Sequence, residues 1–319
     1  MTKHGFTSTL ASELEAFVRF KESLGQPYRR EILTLRSFDR YATKHHARCS
    51  ALDWPGLISG WLNRVPNRRT ITMRVELAPV RQFCRFRRRV ETDGYVPELP
   101  WGRSSTQSTF LPHLLSRSQI AELIRSTQTL RDVPMRRSGM RALICILYST
   151  GLRVGEAVRL RWGDVHWKER SFFIRMSKGR SRWVPFRSDL AKELTTYLNQ
   201  RRRYVAESPE TFLLCRANGS PYSVLRASGT ICQLMRQAGF KPAQGRLGPR
   251  THDLRHAFAT HRLRQWYRSG ADLQQRLPYL SVYLGHQNLL GTEIYLKASS
   301  DLLGLASHRM ATRFRKERP

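Results

Sequence analysis

The sequence predicts a mainly α-helical protein of two separately folded domains, the second carrying one small antiparallel β-hairpin. Three observations lead there. Apolar residues recur at helical spacing from Leu10 to about Val90, periodicity fails between Gly94 and Pro112, and paired strand-like runs occur only around residues 171–186.

In the first domain Leu10, Leu14, Phe17 and Leu24 form a helical stripe through LASELEAFVRFKESLG, ended by Gly25 and Pro27. Ile32, Leu35, Phe38 and Tyr41 place a second helix over Arg29–Lys44. Asp53 before Trp54-Pro55 is an N-cap for a third, running to Leu62. A fourth spans Arg68–Val90, with Val80, Phe83 and Phe86 in its later stripe. Without strand signals, residues 1–93 read as a four- or five-helix bundle. Residues 94–112 hold Gly94, Pro97, Pro100, Gly102 and RSSTQST, the composition of a linker to a domain over 113–319.

That second domain opens with LPHLLSRSQIAELIRS, where Ser116 is the cap and Ile120, Leu123 and Ile124 face inward. A helix over Arg137–Ser149 is closed by Gly151, and another covers Val154–Arg161. SFFIRM and SRWVPF flank Ser177-Lys178-Gly179-Arg180, a tight turn with a lysine near its tip. Helices follow over 189–205, 223–238, 251–268, 271–284 and 288–297, then a short one from about Ser300.

The 319 residues include 56 Lys or Arg against 24 Asp or Glu, a formal charge of +32. Self-repulsion on that scale calls for a polyanionic partner, nucleic acid first. Both parts are basic: residues 1–95 carry 18 cationic and 9 acidic side chains, the remainder 38 and 15. Two lobes gripping one polyanion fit this better than a binding module beside a neutral enzyme. The five cysteines, Cys49, Cys84, Cys145, Cys215 and Cys232, are widely spaced without a C-x-x-C pair, which suits a reducing cytosol and excludes a zinc ribbon. The longest apolar run, Ala142–Tyr148, is far too short to span a membrane, and Met1–Phe6 lacks the apolar core of a secretory signal. The expectation is a soluble cytoplasmic protein.

No phosphate-binding glycine loop is present, so ATP and dinucleotide cofactors have no support. His252, His256 and His261 lie close in sequence, but H-D-L-R-H lacks the glutamate of a zinc-protease motif and the scarce acids do not cluster, so no metal is expected. What remains is cationic and hydrogen-bonding. Arg153 precedes a helix in TGLRVGEAVRL, Lys178 sits on the hairpin, and His252 and Arg255 share a helix face at i and i+3. His286 follows Leu284-Gly285, and Tyr295 comes nine residues later in GTEIYLK.

TGLRVGEAVRL, HDLRHAFATH and LGHQNLLGTEIYLK resemble, in order, the three signature boxes of the tyrosine recombinase (phage integrase) family, and MSKGRSRWVPF resembles its lysine hairpin. The likeness covers nearly the whole chain. It implies a SAM-like core-binding bundle followed by a mainly helical catalytic domain of the DNA breaking-rejoining enzyme fold, closing as a C-shaped clamp on duplex DNA. It also implies a homotetramer on DNA, with or without accessory proteins, and no cofactor. Arg153 and Arg255 would clamp the scissile phosphate, Tyr295 would be the nucleophile and Lys178 the general acid. His252 is the candidate base, and His286 would hydrogen-bond the phosphate.

Taken singly, each residue has a plainer reading. Arg153 is then a helix-flanking charge, Lys178 a solvated turn residue with Arg180 or Arg182 as rival cation, and His252 and His286 helix caps. Tyr295 is then a packing residue, with Tyr283 as rival nucleophile; Tyr283 precedes L-G-H, whereas the family's nucleophile follows it. Jointly, six residues in the family's order select the catalytic reading. Arg85, Arg87, Arg88 and Arg89 read either as a solvated helix face or as phosphate contacts. Arg201–Arg203 and the 313–318 tail have the same two readings, and Leu302, Leu303 and Leu305 either dock on a neighbouring protomer or fold back. The rival functions are a type IB topoisomerase-like relaxing enzyme and a non-catalytic DNA-binding regulator. Between an element-borne integrase or transposase and a chromosome-dimer resolvase, the arginine bias and Leu296-Lys297 after the tyrosine favour the mobile element.

Overall fold

Four amphipathic helices close around aromatic rings at the N-terminal end of the chain: α1 (Ala11–Ser23), α2 (Arg29–His46), α3 (Trp54–Asn63) and α4 (Thr70–Arg87). The computed structural model describes residues 3–26, 28–46, 53–98, 112–130, 134–177, 180–245, 247–286, 288, 291, 292 and 295. The chain divides into two units, Met1–Ser108 and Thr109–Pro319. From 99 to 111 the expected linker lies outside the described residues, as does the helix expected from Ser300.

The stripes read from sequence face one another in the first unit. Leu10, Leu14, Phe17, Leu35, Phe38, Trp61 and Phe83 are all fully buried. Phe38 meets the Trp61 ring edge-on at 5.4 Å, and Phe17 meets Tyr28 edge-on at 5.6 Å. Truncating a ring such as Trp61 to alanine costs about 3–5 kcal/mol, a large part of a domain's net stability. Asp53 caps α3 by accepting from the Gly56 N–H at 3.1 Å. Buried Asp39 fastens the segment before α1, accepting from the Thr7 N–H at 2.7 Å and the Ser8 N–H at 3.1 Å.

The second unit is built round α6 (Pro134–Thr150), whose Ala142, Leu143, Ile144, Ile146 and Leu147 are all buried. Before it, α5 (Arg117–Ser126) starts with a reciprocal Ser116–Gln119 capping box. Gly151 ends α6 with φ +64, and a Cβ there would sit 2.5 Å from Phe258 Cδ1, so this position excludes every other residue twice over. The next helix, α7 (Val154–Ala157), is shorter than the expected 154–161. The reason is a tertiary pairing: the Trp162 N–H donates to the Thr211 carbonyl and the Leu213 N–H to the Leu160 carbonyl, which straightens the backbone there.

Three antiparallel strands follow in the order β1 (Val165–His166), β2 (Ser171–Ser177), β3 (Arg180–Pro185). Phe172 pairs with Val184 and Ile174 with Arg182, with an irregularity between Ile174 and Ser177. The hairpin is the one expected; the two-residue β1 has no sequence signal. Then come α8 (Ser188–Arg201), α9 (Val224–Gln237), α10 (Asp253–Arg268) and α11 (Leu273–Leu284). Of the expected 288–297 helix, residues 291, 292 and 295 are helical and the described remainder is Asn288. Among the described residues no helix is long and apolar enough to cross a membrane.

Candidate active site

The C-terminal turn of α11 gathers the site. A helix ends in carbonyls without intrahelical partners and a partial negative charge, both of which attract cations. Here three successive carbonyls each accept from a different arginine. Tyr283 O takes Arg182 Nε at 2.9 Å, Leu284 O takes Arg255 Nη2 at 2.7 Å, and Gly285 O takes Arg153 Nη2 at 3.3 Å. Gly285 then turns the chain with φ +68 into His286. Its missing side chain is also required by space, since a Cβ would lie 2.7 Å from Arg182 Nη1.

Arg153 stands at the N-cap of α7, and Glu156, one turn on, holds it from two sides. Glu156 accepts from the Arg153 backbone N–H and from Nη1, each at 2.9 Å. The same carboxylate accepts from Arg182 Nη1 and Nη2 at 3.2 and 3.0 Å and from the Ser177 hydroxyl. Burial raises a carboxyl's pKa, but the bonds from Arg182, Ser177 and the Arg153 backbone outweigh it and hold Glu156 at about 2. Glu156 is not among the residues the sequence motifs single out, and Arg182 stands there only as a rival to Lys178. The Arg-x-x-Glu spacing, in a chain short of acids, was the available signal.

Arg255 is 1% exposed and bridges α6 to α11, donating to the Gly151 carbonyl and the Leu284 carbonyl at 2.7 Å each. Burial, with Arg153 nearby, lowers its pKa to about 10, which leaves it charged at neutral pH. Tyr295 is likewise 1% exposed, with the Arg255 guanidinium acting on its hydroxyl. Burial holds this phenol above its ordinary pKa, and Arg255 and Arg153 pull it back.

Histidines flank the phenol. The His256 ring is 5.3 Å from that of Tyr295, and the His286 ring stacks on it at 6.1 Å. His286 Nδ1 meets the Thr292 hydroxyl at 2.8 Å. His252 precedes α10 and packs edge-on to His256 at 4.9 Å. It keeps a solvent-exposed edge. Crowding by protein, then the neighbouring His256, Arg255 and Arg153, nevertheless push its pKa to about 4. His256 is also lowered to about 4, by burial and by Arg250 and Arg255, so both rings are neutral at pH 7. In sequence His256 stands out only as a metal-ligand candidate: H-D-L-R-H places it one turn from His252, but not beside the tyrosine.

The structure therefore brings Arg153, His252, Arg255, His286 and Tyr295 into one locality. Lys178 and Gly179 lie outside the described residues, between the paired Ser177 and Arg180. Tyr283 is placed differently, its hydroxyl donating to the Pro185 carbonyl at 2.9 Å and its ring stacked on Phe258. The four α4-end arginines do not share one free face. Arg87 is paired with Glu13 and Glu91 and lies over Trp54, Arg88 binds the Thr92 carbonyl, Arg89 covers Phe20, and Arg85 is exposed. Among the described residues no group of three His, Cys, Asp or Glu side chains could hold a metal ion.

Residues 113–301 match the model of the phage integrase family. The chain is 29% identical over 323 residues to a putative integrase/recombinase, y4rB, of Sinorhizobium fredii, covering 96% of this chain and 98% of that one. It is 29% identical over 241 residues to the tyrosine recombinase XerC of Bacillus licheniformis, covering 74% and 72%. Its fold resembles the crystal structure of the XerH site-specific recombinase in a post-cleavage complex with palindromic difH DNA, with a TM-score of 0.66 at 19% identity over 93% of this chain and 84% of that one. The chain belongs to the phage integrase family and is a tyrosine-type site-specific recombinase, an enzyme of DNA strand exchange.

Proposed function

We propose that Tyr295 attacks a phosphodiester of duplex DNA, forming a 3′-phosphotyrosine and releasing a 5′-hydroxyl, without metal or ATP. One observation carries this reading. Tyr295, Arg255 and Arg153 share one electrostatic neighbourhood, and both arginines donate to backbone carbonyls at the end of α11, Arg153 being held by Glu156 as well.

The bond from phosphorus to O5′ breaks as the bond to the phenolic oxygen forms. Extra negative charge builds on the non-bridging oxygens, where Arg153 and Arg255 supply donors that stay protonated. Neutral His252, packed edge-on to the His256 ring that lies beside Tyr295, takes the phenolic proton. Lys178 gives a proton to the departing O5′, and His286 hydrogen-bonds the phosphate. Each acid–base step contributes about 10²–10⁴-fold in rate. The covalent link conserves the phosphodiester's energy, so a different 5′-hydroxyl attacks it to rejoin strands.

Recombining two duplexes requires two cleavages in each, which calls for four active sites and a homotetramer on DNA. The working site is cytoplasmic DNA, and the biological role is that of an integrase or transposase of a mobile element. The basic first unit supplies much of the grip on the duplex.

A suicide duplex nicked beside the scissile phosphate tests the assignment. Wild type accumulates a protein–DNA adduct and Tyr295→Phe accumulates none. An adduct that persists in Tyr295→Phe places the nucleophile elsewhere. Plasmid relaxation with no recombinant product points instead to topoisomerase action.

A further inference from the structure

Glu156 poses a difficulty for a phosphate clamp. It fixes Arg153 in place, yet a carboxylate 2.9 Å from that guanidinium also cancels the charge the clamp exists to present. The pair alone is neutral. Glu156 is 1% exposed at its side chain, so neither water nor salt weakens the cancellation as it would at a surface.

Arg182 removes the difficulty. Its fork covers both oxygens of Glu156, at 3.2 and 3.0 Å, while Nε is fixed on the Tyr283 carbonyl at 2.9 Å. The side chain is only 10% exposed and packs against Gly285, so it does not reach a bound phosphate without giving up these contacts. Two cations then share one anion, and the trio is net positive.

We propose that Arg182 is a positioning residue that neutralises Glu156, so that Arg153 keeps its orientation without losing its positive field at the scissile phosphate. The proposal rests on the reading of Arg153 as a phosphate clamp and gives that clamp a third, non-contacting member. It also explains a division among the site's arginines. Arg255 is held by carbonyls alone and needs no counter-cation, whereas Arg153 is held by a carboxylate and does.

The test is single-turnover cleavage of a suicide duplex by the full chain. Arg182→Gln leaves Glu156 facing Arg153 alone and slows cleavage on the order of 10²-fold. Adding Glu156→Gln to Arg182→Gln removes the uncompensated carboxylate and restores about tenfold, a coupling of sign opposite to additive damage. A double variant as slow as Arg182→Gln, or slower, overturns the proposal.

Arg182→Lys keeps the charge but not the fork, and serves if the glutamine variant does not fold; it stays within about tenfold of wild type. A second readout replaces the scissile phosphate by a neutral methylphosphonate, on which the deficit of either Arg182 variant shrinks to less than ~3-fold because less charge needs stabilising. An equal deficit on both substrates marks a merely structural residue and overturns the proposal. Arg153→Ala cleaving as fast as wild type sinks the clamp reading and this one with it. A slow Arg153→Ala beside a double variant that fails to recover sinks the role of Arg182 alone.

Discussion

Both units pair arginines with carboxylates, but the second also gathers three of them on one helix end. In the first, arginines meet carboxylates or ring faces: half-buried Arg64 and Arg68 converge on Glu76, Arg87 takes Glu13, and Arg89 lies over Phe20. In the second, three arginines are drawn onto consecutive carbonyls at the end of α11. A carboxylate fixes a guanidinium and neutralises it; a carbonyl fixes it and leaves the full charge in place. Pairing suits a scaffold, because like charges in so basic a chain would otherwise repel. At the end of α11 Arg255 is held by carbonyls alone, while Arg153 and Arg182 share the one Glu156 besides. The three guanidiniums thus outnumber their single carboxylate and keep positive charge for a phosphorane.

The largest effect that would break this contrast is at Arg255. Arg255→Lys keeps a positive charge but cannot serve the Gly151 carbonyl, the Leu284 carbonyl and Tyr295 together. Cleavage should fall by about 10²–10³-fold, the scale of losing an oriented transition-state donor. Rapid-quench measurement of adduct formation at saturating DNA reads it, with circular dichroism to show that the fold persists. A lysine variant within fivefold of wild type would mean that charge alone suffices and that carbonyl anchoring is incidental.

Much of this arrangement was legible in the sequence, and the rest was not for a definite reason. The helices of both units follow from apolar spacing and caps such as Asp53 and Ser116, which act within a few residues. The candidate residues at 153, 252, 255, 286 and 295 stand out because each sits in a recognisable string. What stayed hidden depends on chain segments that meet only in the fold. Glu156 matters because Arg182 and Ser177 reach it from the hairpin, and Arg182 also reaches a carbonyl 101 residues away. The early end of α7 is likewise set by pairing with 211–213 across the fold, whereas β1 pairs locally with β2 and is only two residues long, too short to carry an alternating pattern.

The histidines sharpen the contrast through pH. Crowding by protein and neighbouring charged groups bring the partly exposed His252 to about 4, and burial with Arg250 and Arg255 does the same for His256. Both are therefore neutral, and competent to accept a proton, well below the usual histidine range near 6.5. Between pH 7.5 and 5.5 an ordinary histidine base loses about tenfold in kcat/KM, whereas this enzyme should lose less than about twofold. The same shift has a stability consequence of defined sign. As pH falls from 6.5 toward 4 the unfolded chain binds protons first, so the folded state loses stability in that window. A kcat/KM profile on a short duplex checks the catalytic statement. A rate that halves near pH 6.5 in wild type and no longer does so in His252→Asn would show that the ring is not depressed in the working enzyme.

The smallest effects separate neighbours on one helix of the first unit. Arg85 is exposed at the end of α4, whereas the Arg87 side chain is 11% exposed, ion-paired with Glu13 and Glu91 and 4.5 Å above the Trp54 ring. Arg85→Ala should leave stability unchanged and lower the slope of log affinity against log salt by about 1, as one phosphate contact is lost. Arg87→Ala should leave that slope unchanged and destabilise the first unit by about 1–2 kcal/mol, through loss of a partly solvated ion pair and a cation–π contact. Urea unfolding and fluorescence-anisotropy titration at several salt concentrations read the two quantities on the same proteins. If Arg87→Ala flattens the salt slope as Arg85→Ala does, the guanidinium leaves its internal pairs when DNA binds. Internal pairing would then describe only the free protein, and the two units would differ less in their use of arginine than their contacts suggest.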